Sequence, residues 1–212
     1  MNKQNRFLPT TKDEMKQGGW DELDVVLITG DAYIDSPFMG IAVVGRILED
    51  IGLRVGIIGQ PDINSDVDIK RLGEPKLFWG VSGGSIDSMV SNYTATKKFR
   101  NDDDYTPGGK NNKRPDRATL VYTNLIRRYF KNTDYWSNTL RKPILFDSKA
   151  DYMVYGMGEQ AIIDLGLYLK EGKDVRTIAG LCYISKEPVK EYLQIPSHKE
   201  CLENKEKYID LF

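Results

Sequence analysis

Four short apolar runs alternate along this chain with segments whose apolar residues recur at helical spacing. The runs end at or beside a glycine and cover residues 24–30, 53–60, 76–82 and 150–156. Continuous stretches of Val, Ile and Leu of this length are typical of strands that are buried on both faces of a parallel sheet. The sequence therefore predicts an α/β fold, in which a mostly parallel, open, Rossmann-like sheet has helices on both faces.

Helices are predicted between the strands. The first of them has Pro37 near its start and Gly52 after its end, which are the positions that these residue types favour. Apolar periodicity predicts three more helices, at residues 85–100, 118–130 and 157–172. A last short strand is predicted at residues 178–185. We expect the first four strands to lie in one sheet, with at least four parallel strands.

The alternation is interrupted after the helix that ends near Phe130. A strand should follow, but the segment KNTDYWSNTLRKP (131–143) contains no apolar run. We therefore expect a discontinuity between Thr133 and Asp134, where residues are either deleted or omitted from the sequence.

The chain divides into an arm, one domain and a tail. Residues 1–20 are polar and predict a surface arm, which Phe7, Leu8 and Trp20 would anchor. Residues 21–186 carry the α/β pattern, and the charged residues 187–212 predict a tail or linker. This length is enough for one domain with a substantial core.

Composition excludes several classes of function. Lys and Arg number 30 against 31 Asp and Glu. The chain therefore lacks the net positive charge that would indicate binding to nucleic acid. No apolar run approaches the roughly 20 residues of a membrane span, and the N-terminus lacks the apolar region of a signal peptide. Cys182 and Cys201 are the only cysteines, which favours a reducing, cytoplasmic compartment.

Three predicted strands end in glycine-bearing turns, which should lie at one edge of a parallel sheet. Ligands of such sheets bind outside the carboxyl ends of the strands, and backbone N–H groups at helix N-termini suit anions. The candidate cofactor-binding residues are therefore Gly30, Asp31, Ser82, Gly83, Gly84, Ser85, Gly156, Gly158 and Glu159. Glycines at such turns also serve tight turning and helix packing, so a structural edge remains the alternative.

No arrangement of side chains predicts a catalytic or metal site. His198 is the only histidine, which excludes a histidine-based triad and a multi-histidine metal site. Cys182 and Cys201 are too far apart to provide metal-ligand spacing, and Cys182 is typical of a strand in the core. The acidic run at 102–104 is typical of a solvated loop.

Six segments resemble the N-terminal region of the YgiQ-like radical SAM proteins, and together they cover nearly the whole chain. Among them are FWGVSGGSIDSMVSNYTATKK and DDDYTPGGKNNKRPDRATLVYTNLIRR. The six segments are residues 7–37, 54–62, 78–98, 102–128, 134–159 and 178–184. The resemblance implies a Rossmann-like domain, similar to cobalamin-binding domains, that precedes a radical SAM barrel.

The same resemblance implies what the chain does. The barrel would hold a [4Fe–4S] cluster and S-adenosylmethionine through a CxxxCxxC motif, which is absent here. The cobalamin motif DxHxxG is absent too. The implied function is that of a non-catalytic accessory domain whose partner is the barrel and which shapes ligand access at the carboxyl edge of the sheet. An independent nucleotide- or cofactor-binding module is the alternative.

Overall fold

The computed structural model describes residues 7–130, 144–186, 195, 197, 199 and 200. The predicted break between Thr133 and Asp134 and most of the tail lie outside these residues. The helices are α1 (Lys12–Gln17), α2 (Gly40–Asp50), α3 (Val67–Lys70), α4 (Ser88–Asn92), α5 (Ala118–Tyr129), α6 (Ile144–Ser148) and α7 (Glu159–Glu171). The strands are β1 (Val25–Thr29), β2 (Val55–Gly59), β3 (Phe78–Ser82), β4 (Tyr152–Val154) and β5 (Leu181–Tyr183).

Strand β1 is the centre of a three-stranded parallel sheet with the order β2-β1-β3. Val25 is in register with both Val55 and Phe78, and Thr29 is in register with Gly59 and Ser82. All five residues of β1 are buried, as its continuous apolar run predicts. Because the three strands are parallel and in register, their carboxyl ends lie at one edge.

Helices cover both faces of this sheet, which confirms the predicted α/β class. Alternate residues of β1 point to opposite faces, so Val26 and Ile28 enter a core layer that differs from that of Val25 and Leu27. The first layer contains side chains of α1, α3 and α5, including the fully buried Tyr122. The second layer contains side chains of α2, and α7 packs against it.

The fourth strand departs from the prediction. Strand β4 pairs antiparallel with β5 in a separate two-stranded sheet, so the expectation of four parallel strands in one sheet is wrong for the described residues. Residues of β3 and β4 together line an apolar cavity of about 560 Å³, and the pairing of β4 is taken by β5. The two strands do not pair across it.

The helix predicted over residues 85–100 is much shorter than expected. Helix α4 ends at Asn92, and the backbone then turns back so that Tyr93 forms an isolated antiparallel bridge with Phe99. Lys97 has a positive φ of 62°, and the rings of Tyr93 and Phe99 meet edge to face at 5.6 Å. A side-chain contact across a turn therefore ended the helix, and the apolar spacing did not reveal that contact.

An ion pair joins the start of β1 to the start of β2 and gives a pH-dependent prediction. Asp24 accepts hydrogen bonds from Arg54 Nε at 2.9 Å, Nη2 at 2.6 Å and the backbone N–H at 2.9 Å. The hydrogen bond from the Arg54 guanidinium lowers the pKa of Asp24 below its ordinary value. A carboxyl with a lowered folded-state pKa stabilises the fold above its unfolded-state pKa, and this stabilisation is lost as pH falls through the folded-state pKa.

We expect Asp24→Asn to lower the free energy of unfolding by about 1–2 kcal/mol at neutral pH, since it weakens charge-assisted hydrogen bonds. The difference in the free energy of unfolding between the variant and the parent should shrink as pH falls below about 4. Urea denaturation at several pH values measures it. Asp66→Asn removes the exposed pair with Lys70 and should have a much smaller effect. A pH-independent difference would contradict the assigned role of the charge.

Candidate functional site at the carboxyl edge of the sheet

Two of the three predicted glycine turns touch each other at the ends of β1 and β3. The Gly30 N–H donates to the carbonyl of Ser82 at 3.3 Å, and a Cβ on Gly30 would overlap the carbonyl oxygen of Gly83. The Ser85 N–H donates to Asp31 Oδ2 at 2.6 Å. Gly84 has φ of 109°, which only glycine adopts without strain. Six of the nine predicted residues therefore form one local arrangement.

The guanidinium of Arg114 closes this arrangement from the loop of residues 101–117. Its Nη1 donates to the Gly83 carbonyl at 3.1 Å, and its Nη2 lies 2.7 Å from Asp31 Oδ1 and 3.3 Å from Asp103 Oδ2. The side chains of Arg114, Asp31 and Asp103 are 0%, 2% and 1% exposed. We call these three side chains the buried ion cluster. One positive and two negative charges thus lie beside the Gly83–Gly84 turn, away from solvent.

The same loop also covers the end of β2. Gln60 Nε2 donates to the Gly30 carbonyl at 2.9 Å and to Thr106 Oγ1 at 2.6 Å. The Ala32 N–H donates to the carbonyl of Tyr105 at 2.9 Å. The loop of residues 101–117 is therefore part of the site, because it bonds to the chain at the ends of β1, β2 and β3.

These contacts bear on what the Gly83–Gly84 turn can bind. The N–H of Gly84 donates to Ser82 Oγ at 3.2 Å and that of Ser85 donates to Asp31. Two of the backbone donors that an anion would need are therefore already bonded to the chain's own oxygen atoms. The geometry favours a structural role for this turn, and ligand binding there stays a prediction.

The third turn lies at the same edge but is separate from the other two. Lys170 near the end of α7 lies beside Gly52, which follows α2, and a Cβ on Gly166 would lie 3.2 Å from Leu48 Cδ2. The two helices therefore run side by side in the same direction. The start of α7 at Glu159, with Gly156 and Gly158 before it, lies on the side where α2 begins.

Arg114, Asp103 and Gln60 were not predicted as site residues. The segments NDDD and KNNKRPDR have mixed charge and are typical of a solvated loop. Their charges alone therefore do not indicate a site. One signal was available in the length of the loop. Loops longer than about 12–15 residues in a compact domain are usually functional or disordered, and this one is ordered by buried charges.

Large apolar side chains are exposed in the turns that follow β1 and β4, and in the turn and helix α4 that follow β3. Phe38 is 91% exposed and Met157 is 95% exposed. We call the set the apolar rim: Ile34, Phe38, Ile86, Val90, Tyr155 and Met157. Where exposed apolar side chains are contiguous, they are candidates for protein–protein or ligand contact.

The described residues contain neither a metal-binding cluster nor a membrane-spanning helix. Among these residues, no group of His, Cys, Asp and Glu side chains is arranged to hold a metal ion. Cys182 is half-buried in β5, whereas His198 and Cys201 lie outside the described part of the chain. None of the helices within that part is long and apolar enough to cross a bilayer.

Comparison with known proteins gives a consistent family. The profile described as Radical SAM N-terminal matches residues 7–134 and 132–212. A UPF0313 protein of Fusobacterium nucleatum is 55% identical over 226 residues, which cover 98% of this chain and 40% of that protein. UPF0313 proteins of Thermotoga neapolitana and Clostridium botulinum are 49% and 43% identical and are covered to 40% and 36% of their lengths. No solved structure matches the chain significantly.

Two details of these matches concern the interrupted alternation. The two segments that match the family profile meet at residues 132–134, beside the predicted break. The alignments with the three relatives extend over 226, 224 and 228 residues, which is longer than the 212-residue chain. The relatives therefore carry residues that have no counterpart here.

The matched segments span nearly the whole chain, and the chain spans about two fifths of its relatives. The chain therefore belongs to the Radical SAM N-terminal family and is the N-terminal region of a YgiQ-like UPF0313 protein.

Proposed function

We propose that this chain is a non-catalytic accessory domain that docks onto the catalytic part of a radical SAM protein and shapes ligand access at the carboxyl edge of its sheet. The [4Fe–4S] cluster and S-adenosylmethionine would be bound by that catalytic part. The partner is thus the barrel domain that the family resemblance implies.

The observation that carries the proposal is the apolar rim. Phe38 and Met157 are almost fully exposed although they are large and apolar. Full burial of such a side chain is worth about 1.5–3 kcal/mol, so a covering partner would stabilise both. Four rim side chains follow the carboxyl ends of β1 and β3, the edge where α/β sheets contact ligands, and two follow β4.

The buried ion cluster supports the same function. It fixes the Gly83–Gly84 turn and the loop of residues 101–117 relative to each other, so the edge presents a preformed surface. An independent nucleotide- or cofactor-binding module is less well supported, since the Gly84 and Ser85 N–H groups are already bonded within the chain.

A chimaera tests the docking. This chain would replace the matching N-terminal 40% of the Fusobacterium nucleatum relative, and hydrogen exchange would be compared between the chimaera and the chain alone. We expect amides of residues 31–40 and 155–160 to exchange at least about tenfold more slowly in the chimaera, because docking removes them from solvent.

The matched variants make the test specific. Phe38→Ser combined with Met157→Ser should abolish the added protection, while Phe7→Ser, which changes an exposed residue outside the rim, should preserve it. Equal exchange in the chimaera and the isolated chain at both turns would overturn the proposal. Anaerobic reconstitution of the isolated chain with iron and sulfide should give no reductive cleavage of S-adenosylmethionine, and cleavage there would overturn the non-catalytic assignment.

A further inference from the structure

Residues 93–117 form a lobe between α4 and α5 in which the backbone turns back twice. Tyr93 forms an isolated antiparallel bridge with Phe99, and Asp102 forms a second one with Lys110. The buried ion cluster takes one cation and one carboxylate from this segment and thereby fixes it to the end of the sheet. The surface of the lobe is therefore preformed.

This lobe concentrates positive charge, and we call residues 93–117 the basic lobe. Seven of these residues are Lys or Arg and four are Asp, whereas the whole chain has a net charge of −1. Six of the cations are exposed: Lys97, Lys98, Arg100, Lys110, Lys113 and Arg117. The balanced composition of the whole chain, which gives no indication of nucleic acid, conceals this local excess.

Hydrogen bonds hold the segments of the basic lobe side by side. Arg100 Nε donates to the Tyr93 carbonyl at 3.1 Å, and Asn111 Nδ2 donates to the Arg100 carbonyl at 3.1 Å. The Tyr93 hydroxyl donates to Asp116 Oδ2 at 2.7 Å. The exposed cations thus belong to one compact unit. Within the described part of the chain, no ion pair joins any of the six to an acidic side chain, so their charges can meet a partner.

An exposed aromatic ring stands between two of these cations. Phe99 is 53% exposed, although its ring meets that of Tyr93 edge to face at 5.6 Å. Lys98 and Arg100 precede and follow it in the sequence. Aromatic rings that stack on bases and cations that neutralise phosphates are the two contacts by which proteins bind a single strand of nucleic acid.

Other anionic partners fit the basic lobe less well. An acidic peptide carries no bases, so it would leave the exposed Phe99 ring without a stacking partner. Binding to an anionic lipid surface is typical of an amphipathic helix, and residues 93–117 form none. The combination of charge and ring therefore favours nucleic acid.

We propose that the basic lobe binds a single strand of nucleic acid. The exposed Lys and Arg side chains contact its phosphates, and the Phe99 ring stacks on a base. The preformed surface favours binding, because little conformational entropy is lost when the strand is bound. Neither Phe99 nor any of the six cations belongs to the apolar rim, so this interaction is independent of the proposed accessory function.

Fluorescence anisotropy with labelled strands of about 12 nucleotides tests the proposal on the full chain. One probe is oligouridine and the other is oligothymidine DNA. We expect a dissociation constant of the order of 10 μM at about 50 mM salt. If three or four phosphates are contacted, binding should be about 20–50-fold weaker at about 200 mM salt. Binding of either probe supports the proposal, and the tighter of the two identifies the sugar.

Charge reversal locates the site. Lys97→Glu combined with Lys98→Glu should weaken binding at least about tenfold, because these changes remove two phosphate contacts and repel the strand. Lys12→Glu combined with Lys16→Glu is the matched control, since it changes the net charge equally at two exposed lysines of α1. This control should bind nearly as the parent does.

Substitutions of Phe99 test the stacking contact. Phe99→Leu keeps an apolar side chain against Tyr93 but has no aromatic face, and it should weaken binding about tenfold. Phe99→Tyr keeps the ring and should bind as the parent does. The salt dependence should be the same for both variants, because the phosphate contacts are unchanged.

Several outcomes would overturn the proposal. No binding of either probe at about 100 μM chain and about 50 mM salt would exclude the interaction, and equal effects of the two charge-reversed pairs would place any binding outside the basic lobe. Equally tight binding of polyglutamate or of phosphatidylserine vesicles would show a general attraction to anions. These last probes are tested on the unaltered chain, so a variant that fails to fold leaves the test intact.

Discussion

Replacing Arg114 by methionine is expected to lower the free energy of unfolding by about 3–5 kcal/mol, since a buried charge that loses its partner is strongly destabilising. The guanidinium lies within 2.7 Å of Asp31 and 3.3 Å of Asp103. Both carboxylates are almost completely removed from water, and methionine would leave them without a counter-charge. The Gly83 carbonyl would also lose its 3.1 Å bond from Nη1.

Urea denaturation of the parent and the variant measures this loss. Arg176→Met is the matched control, because Arg176 forms an exposed pair with Asp174, and such pairs contribute little to stability. A triple variant, in which Arg114→Met is combined with Asp31→Asn and Asp103→Asn, should recover part of the loss because no net charge remains buried. An effect of Arg114→Met as small as that of Arg176→Met would contradict the buried ion cluster.

The same variant should expose the long loop. The loop of residues 101–117 is held at the sheet edge by Arg114, by the Gln60–Thr106 contact and by the Ala32–Tyr105 backbone bond. Loss of the first contact should raise the rate of proteolysis within the loop more than the rate elsewhere. This local readout separates the cluster's positioning role from a general loss of stability.

The strands of the sheet could be predicted from sequence because their signal is local. The runs at 24–30 and 53–60 are rich in consecutive apolar residues. Such runs are typical of strands in a parallel sheet that has helices on both faces. Their carboxyl ends then fix the positions of Gly30 and Asp31 without any knowledge of the packing. The contact of Gly30 with the Gly83 turn depends in addition on the strand order, in which β1 and β3 are neighbours, and this order was not predicted.

What could not be predicted depends on contacts between residues that are distant in the sequence. Arg114 is one of many charged residues in its loop, and only folding shows that it reaches Asp31. Strand β4 was predicted correctly as a strand, but its three residues carry no information on which neighbour they pair with. The early end of α4 likewise depends on the Tyr93–Phe99 contact, which lies beyond the helix.

The N-terminal arm gives the second large prediction: of its predicted anchors Leu8 is buried, whereas Phe7 is exposed and does not anchor the arm. Leu8 is 1% exposed and belongs to the core layer that also contains Val25 and Leu48. Its Cδ1 would lie 2.5 Å from a Cβ on Gly45, so the side chain fills the space that this glycine leaves on α2. The next residue, Pro9, accepts a hydrogen bond from the Ile57 N–H at 2.9 Å, which attaches the arm to β2.

Leu8→Ala should therefore lower the free energy of unfolding by about 2–5 kcal/mol, through lost apolar burial and the cavity left against α2. Phe7→Ala is the adjacent control, because Phe7 is 71% exposed, and its effect should stay within about 0.5 kcal/mol. Urea denaturation of both variants compares two large apolar residues that differ mainly in burial. Similar effects of the two substitutions would mean that the arm does not pack into the core in solution. A large effect of Leu8→Ala and a small effect of Phe7→Ala would mean that the arm, although most of its residues are polar, stabilises the sheet that carries the site.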